Sequence, residues 1–228
     1  MVAAISNLKS TSAARSELLS RYTVMVADRD FAARRRCTSA LEGAGFGLIL
    51  AAGDLETAGN YFREHACDLL IIDPNVGTDF AAAFDFIRTV RAGSQDTMVS
   101  VFTGTPSLGL CYRAARVGVS DFFIKGPHLA IAAEAARLLD KQHAGRKTEL
   151  GLATGLFSSV GVTRGEMAIL EEFSRGYPKQ QDIARRLDKD DVYIRKVFSR
   201  VYKKMETYLP INNQAQLSHL MTVCSLFE

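Results

Sequence analysis

Residues 24–30 read VMVADRD, and this stretch decides how the chain is read. Val24, Met25, Val26 and Ala27 form an unbroken apolar run, the form of a strand buried on both faces, as in parallel sheets. Asp28, Arg29 and Asp30 follow at once. Open α/β sheets place their sites at the C-terminal ends of their strands. Carboxylates crowded there predict a task, and the arginine between them needs a reason.

Outward from this strand the pattern alternates. FAARRRCTSALEGAG is a helical stretch that ends on glycines, GLILAAG a short strand and LETAGNYFREHA a helix. DLLIID, MVSVFT and DFFIK are further apolar runs of strand length. FAAAFDFIRTVRAG, PSLGLCYRAARVG and HLAIAAEAARLLDKQ are helical. Strand and helix alternating five times predict a parallel sheet with helices on both faces. Four strands then end on polar groups at one edge: Asp28 after the first, Asp73 after the third, Thr103 after the fourth, Lys125 after the fifth. An acid, a hydroxyl and an ammonium converging there suit phosphoryl chemistry, with the carboxylate as nucleophile, the hydroxyl holding an oxygen and the ammonium neutralising charge.

Here the sequence resembles a known family. Residues 23–140 are similar to the receiver domain of two-component response regulators, an α/β flavodoxin-like (βα)5 fold. VADRD, LLIIDPNVG, VFTGT and DFFIKGP fall in the family's order and at its spacing. The resemblance implies that Asp73 is the phospho-acceptor, that Thr103 and Lys125 contact the phosphoryl group, and that Phe122 is the aromatic switch residue. One departure bears on mechanism. Receivers carry two adjacent acids after the first strand, and the second ligates Mg²⁺; here Arg29 stands in that place. Mg²⁺ demands near-octahedral oxygen ligands and dehydrates reluctantly, so the expectation is weak or absent Mg²⁺ and no other cofactor. Arg29 either pairs with Asp28 or Asp73 in the metal's place, as the fork of a permanently charged guanidinium permits, or points to solvent. Asp30 either replaces the missing ligand or starts a helix.

Residues 1–22 form an N-terminal extension in which SAARSELLSRY has helical spacing. Residues 141–162, rich in Gly, Ser and Thr and without sustained periodicity, read as a linker. From residue 163 to 228 the pattern is helical throughout. TRGE is a capping box of Thr163 and Glu166. KQQDIARRLD and DDVYIRKVFSRVYKKME are two helices across a turn, with Asp190 as N-cap of the second. On that helix Val192, Ile194, Val197, Phe198, Val201 and Met205 are expected to pack. Arg195, Lys196, Ser199, Arg200, Lys203 and Lys204 make a basic surface with no acid between Arg195 and Lys204.

This segment resembles the four-helix, all-α helix-turn-helix domain of the NarL/LuxR family of transcription factors. The resemblance implies that the helix carrying Arg195 enters the major groove of double-stranded DNA. Arg195, Lys196 and Ser199 would face bases, and Arg200, Lys203, Lys204, Lys179 and Gln180 would reach phosphates. Leu217, Leu220, Met221 and Cys224 would form the family's dimerisation face, or pack within their own domain. Asp188 stands where the family has glycine and Tyr193 where it has threonine.

Composition agrees with this and narrows it. The 228 residues are 47% hydrophobic and 23% charged, a globular balance, and the net charge of +3 permits nucleic acid without requiring it. The four cysteines form no C-x-x-C and read as buried hydrophobes of a reducing compartment. No apolar run approaches the ~18 residues of a membrane span, and the N-terminus lacks a signal-peptide core. The chain is therefore expected in the cytoplasm, without a membrane. No glycine-rich phosphate loop follows the first strand, which argues against a nucleotide-binding enzyme. The reading is a DNA-binding, response-regulator-type transcription factor. It is not an enzyme, it is expected to be a homodimer, and its receiver works without ordinary Mg²⁺-dependent phosphorylation under a sensor kinase or another regulatory protein. A conventional regulator phosphorylated at Asp73 is the first alternative, and a receiver-like module for protein interaction or ligand sensing the second.

Overall fold

The computed structural model describes residues 17–127, 130–143, 153–174 and 179–225. Five strands form one sheet: β1 (Thr23–Ala27), β2 (Leu48–Ala52), β3 (Leu69–Ile72), β4 (Met98–Thr103) and β5 (Asp121–Ile124), in the order β2-β1-β3-β4-β5. β1 pairs in parallel with both neighbours, Val24 lying opposite Ile49 on one side and Leu69 on the other. All four residues of β3 and all four of β5 are buried, and Val24, Met25, Val26 and Ala27 are at most 1% exposed. This is the doubly covered sheet that the apolar runs predict.

The helices that follow the strands are α1 (Phe31–Ala44), α2 (Leu55–Glu64), α3 (Phe80–Gly93), α4 (Leu108–Arg116) and α5 (Ile131–His143). Side chains at the strand ends start the first four. Asp30, Asp54, Asp79 and Ser107 each accept backbone N–H bonds from the first turn, which satisfies donors that a helix leaves open. α1 stops at Gly45, whose left-handed φ of 89° suits glycine. Of the N-terminal extension, residues 1–16 lie outside the described residues; Leu19 and Tyr22 are buried and Leu18 is exposed. A Cβ on Gly47 would run into the Ser20 carbonyl, so the chain entering β1 passes directly over this glycine.

Beyond α5 come α6 (Ala153–Ser159), α7 (Arg164–Ser174), α8 (Gln180–Arg186), α9 (Asp191–Glu206) and α10 (Gln214–Ser225). Within the segment read as linker, Ala153–Ser159 is thus a largely buried helix. Gly155 N–H donates to Asp121 Oδ1 at 2.8 Å, and Ser159 Oγ accepts the Ile124 N–H at 2.9 Å. A Cβ on Gly155 would collide with the Asp121 carboxylate and the Phe123 ring. Glycine is there for close approach, not for freedom. At seven residues the helix is too short for periodicity to reveal it.

The chain divides into two compact units at a place the pattern does not announce. One comprises Met1–Ser100 with Ala130–Ala144, the other Val101–Leu129 with Gly145–Glu228. The division runs inside β4, because within the second unit α6 packs on β5 and α10 on α4. Among the described residues no helix is long and apolar enough to cross a membrane.

Candidate functional site

In the first unit, the ends of β1 and β3 place Asp28 and Asp73 on neighbouring strands, joined where Asp73 N–H donates to the Ala27 carbonyl at 2.8 Å. Both carboxylates are buried, at 3% and 4% exposure. Asp28 Oδ1 accepts the Asp30 N–H at 2.9 Å. Asp73 Oδ1 accepts the Asn75 backbone N–H at 2.8 Å and its side-chain amide at 3.0 Å. Both acids are thus held by donors two residues further along the chain.

Arg29 departs from the first of its two expected placements. It is exposed and pairs with neither Asp28 nor Asp73. The guanidinium at this strand end is Arg34, one turn into α1. Its Nη1 donates to the Asp28 carbonyl, and its Cζ lies 5.5 Å from the centre of the Phe31 ring. Arg34 was not singled out in the sequence, where ARRR gave no sign of which arginine turns inward. Asp30 resolves toward the helix. Its Oδ1 takes the Ala32 and Ala33 N–H groups at 2.8 and 3.1 Å, so it caps α1.

In the second unit, Thr103 and Lys125 end the neighbouring strands β4 and β5, and Lys125 N–H donates to the Thr103 carbonyl at 2.8 Å. Thr103 is fully buried, and its Oγ1 accepts the Thr105 N–H at 3.1 Å. Lys125 is half-buried with its ammonium 5.3 Å from the centre of the Phe102 ring. Phe122 is completely buried.

The helix-turn-helix is built by α8 and α9. Ile183 and Ala184 of α8, and Ile194, Val197, Phe198, Val201 and Met205 of α9, are all buried. The Phe198 ring meets Phe173 of α7 edge-on at 5.4 Å, a favoured aromatic geometry. Asp190 caps α9 by accepting the Val192 N–H. The turn before it runs through Asp188 at φ 51°, the left-handed conformation that glycine adopts without strain. Val192, expected to pack, is exposed instead. At helical spacing Val192, Lys196, Ser199 and Lys203 form one outward row, with Arg195 alongside. All five are exposed. Lys179 is exposed and Gln180 half-buried, and both line a pocket with Gln181, Asp191, Arg195 and Gln214.

Two expected phosphate contacts have partners inside the protein. Lys204 Nζ donates to Glu166 Oε2 at 2.6 Å and to the Gly161 carbonyl at 2.8 Å. Arg200 Nε donates to Glu166 Oε1 at 3.2 Å, with half of its side chain exposed. Glu166 also closes the capping box, accepting the Thr163 N–H at 2.9 Å. Burial raises the pKa of this carboxyl, but the Lys204 and Thr163 hydrogen bonds outweigh it and hold the group below its ordinary value. On α10, Leu217, Leu220 and Met221 are buried within the chain, so that face is not open to a second copy here. The side chain of Cys224 lies outside the described residues.

No family profile and no curated protein matches the sequence. Solved structures do. A CheY-like response regulator receiver domain protein from Methanospirillum hungatei JF-1 superposes at a TM-score of 0.50. That match has 15% identity and covers 55% of this chain and 98% of that one. A response regulator from Thermotoga maritima gives 0.47 at 24% identity over 52% of this chain and 98% of that one. RcsB from Salmonella enterica serovar Typhimurium, solved bound to promoter rprA, gives 0.44 at 17% identity over 88% of this chain and 98% of that one. At these identities the likeness is one of fold. The five-stranded parallel sheet has the receiver architecture, and a helical region follows it.

Proposed function

We propose that the protein is a DNA-binding transcriptional regulator of the response-regulator type. The exposed basic face of α9 carries this reading. Its apolar side is fully buried, its outward row holds Lys196, Ser199 and Lys203 beside Arg195, and a short helix and a turn precede it. A recognition helix in this setting places its outward row in the major groove. Arg195, Lys196 and Ser199 are the base-facing candidates. Lys179, Gln180, Lys203 and Arg200 are the phosphate candidates, and Lys204 drops from that set because Glu166 and Gly161 engage it. The partner is duplex DNA. A homodimer is the expected form, with a contact other than the buried face of α10.

The receiver is proposed to act without ordinary Mg²⁺-dependent phosphorylation. The receiver family implies Mg²⁺, but the donors do not fit it. Asp28 and Asp73 remain, Arg29 stands in the second acid's place, and Asp30 caps a helix. Among the described residues no group of three acids, histidines or cysteines could hold a metal. Asp73 at the end of β3, and Thr103 and Lys125 at the ends of β4 and β5, are then each proposed to answer to a sensor kinase or another regulatory protein, and Phe122 is the switch candidate. No enzymatic activity of the chain's own is proposed.

Binding of the full chain to duplex DNA across a salt series tests the reading. The expected result is affinity that falls steeply with salt, since each phosphate contact releases counterions, and that survives Asp73→Ala. Affinity for duplex DNA no greater than that of a protein lacking residues 163–228 would refute it.

A further inference from the structure

We infer that Val192 and Tyr193, at the tip of α9, read the C5 methyl group of thymine. The inference rests on the reading of α9 as a DNA-contacting helix and adds what that helix looks for. Ile194, Val197, Phe198, Val201 and Met205 are at most 1% exposed, whereas Val192 is 47% and Tyr193 41% exposed. These two therefore add little to the core that seats the helix, and each leaves apolar surface open. They are adjacent, and they occupy its first turn, the part of a recognition helix that reaches base edges.

Their neighbours fix the kind of occupant. Val192 heads the row that continues through Lys196, Ser199 and Lys203, and Tyr193 lies on the same side as Arg200. An apolar tip followed along its own side by Lys196, Arg200 and Lys203 fits a polyanion with an apolar spot between its phosphates better than it fits an apolar protein groove. Of the acids just ahead of the tip, Asp188, Asp190 and Asp191, Asp190 is turned back onto the Val192 N–H. In the major groove the only apolar group on a base edge is the thymine C5 methyl, and aliphatic or aromatic side chains are its partners. Two such side chains side by side predict thymine at one or two adjacent positions of each half-site. Arg195 and Lys196, one turn further along, would then specify guanine next to it.

The test starts from duplexes selected by the full chain from a random pool at fixed salt. Each thymine is then replaced in turn by deoxyuridine, which removes the methyl and nothing else. The expected result is a loss of about fourfold in affinity at one or two positions, the size of burying one methyl group. Val192→Ala should reduce that loss to about nothing while lowering affinity for the thymine duplex. Tyr193→Ala should do the same at the neighbouring position. Both sites are exposed, so the variants keep the fold, and circular dichroism checks this. If the chain selects a duplex but tolerates deoxyuridine at every position, the methyl reading is wrong and the DNA reading stands. If no duplex is selected at all, both fail.

Discussion

The acids at the ends of β1 and β3 and the cations of α9 are both clusters of charge, and the chain treats them in opposite ways. Asp28 and Asp73 are buried and accept bonds from residues two positions along. Asp30, beside them, is exposed but engaged as a helix cap. On α9, Arg195, Lys196 and Lys203 stand in solvent on a helix whose other side is fully packed. A buried charge must be satisfied where it sits, so the strand-end acids say most about folding. Exposed charges on a rigid helix have no such duty, and they say most about a partner. The contrast divides the two lysines at the end of α9, which the sequence presents as equals.

Lys204 should give the largest effect. Removing it leaves Glu166 buried with less counter-charge, and breaking such a pair from one side costs about 3 kcal/mol. Lys204→Ala should therefore lose that much in denaturant titration, while Lys203→Ala leaves stability unchanged. Equal losses in the two variants would end the distinction between them. The same cluster sets an acid dependence. The folded pKa of Glu166 lies below its ordinary value of 4.5. Its contribution is thus fully present above that value and is lost as pH falls through the lowered folded pKa. Stability measured from pH 6 downward should fall less steeply in that acid range for Glu166→Gln than for the parent.

The exposed cations should behave in the reverse sense. Arg195→Ala or Lys196→Ala should cost about 1–3 kcal/mol of specific binding and blur base preference, with the melting curve unmoved. Lys203→Ala should weaken binding to all sequences alike and flatten the salt dependence. A fall in stability matching the fall in affinity would mean that these residues belong to the packed side after all.

Asp30 and Arg29 test the strand-end site at a smaller scale. Asp30→Ala should cost about 1 kcal/mol of stability as a lost N-cap and leave Mg²⁺ affinity by calorimetry as it was. Arg29→Asp should raise that affinity by restoring a second carboxylate. Tight Mg²⁺ binding by the unaltered chain, abolished in Asp30→Ala, would reverse the roles given to these two residues.

The strands, the Asp190 cap and the capping box at Thr163 were legible because each depends on residues a few positions apart. Lys196, Ser199 and Lys203 in the outward row of α9 were legible for the same reason, through their period. Part of what escaped depends on distant partners. Lys204 differs from Lys203 only through Glu166, 38 residues away. Gly155 reads as a linker glycine until the Asp121 carboxylate is found against it. Val192 has the composition of a core residue, and only its place on the helix surface puts it outside. Arg34 was one of three consecutive arginines, and nothing local marks the one that turns toward the Asp28 carbonyl.

The smallest expected effect lies in the turn between α8 and α9. Asp188 adopts φ 51°, where an L-residue is strained and glycine is not. Replacing it by glycine removes that strain but adds freedom to the unfolded chain, which offsets part of the gain. Aspartate tolerates the left-handed region better than most residues, so the net stabilisation of Asp188→Gly should be only about 0.5 kcal/mol. The substitution also deletes a negative charge just ahead of the basic face of α9, which should raise DNA affinity slightly at low salt and not at high salt. Asp188→Asn separates the two causes, since asparagine keeps the tolerance for this backbone and loses the charge. Asp188→Asn should reproduce the gain in affinity without most of the gain in stability. If it reproduces both, charge rather than backbone strain explains why aspartate is costly here, and the turn is no more strained than its neighbours.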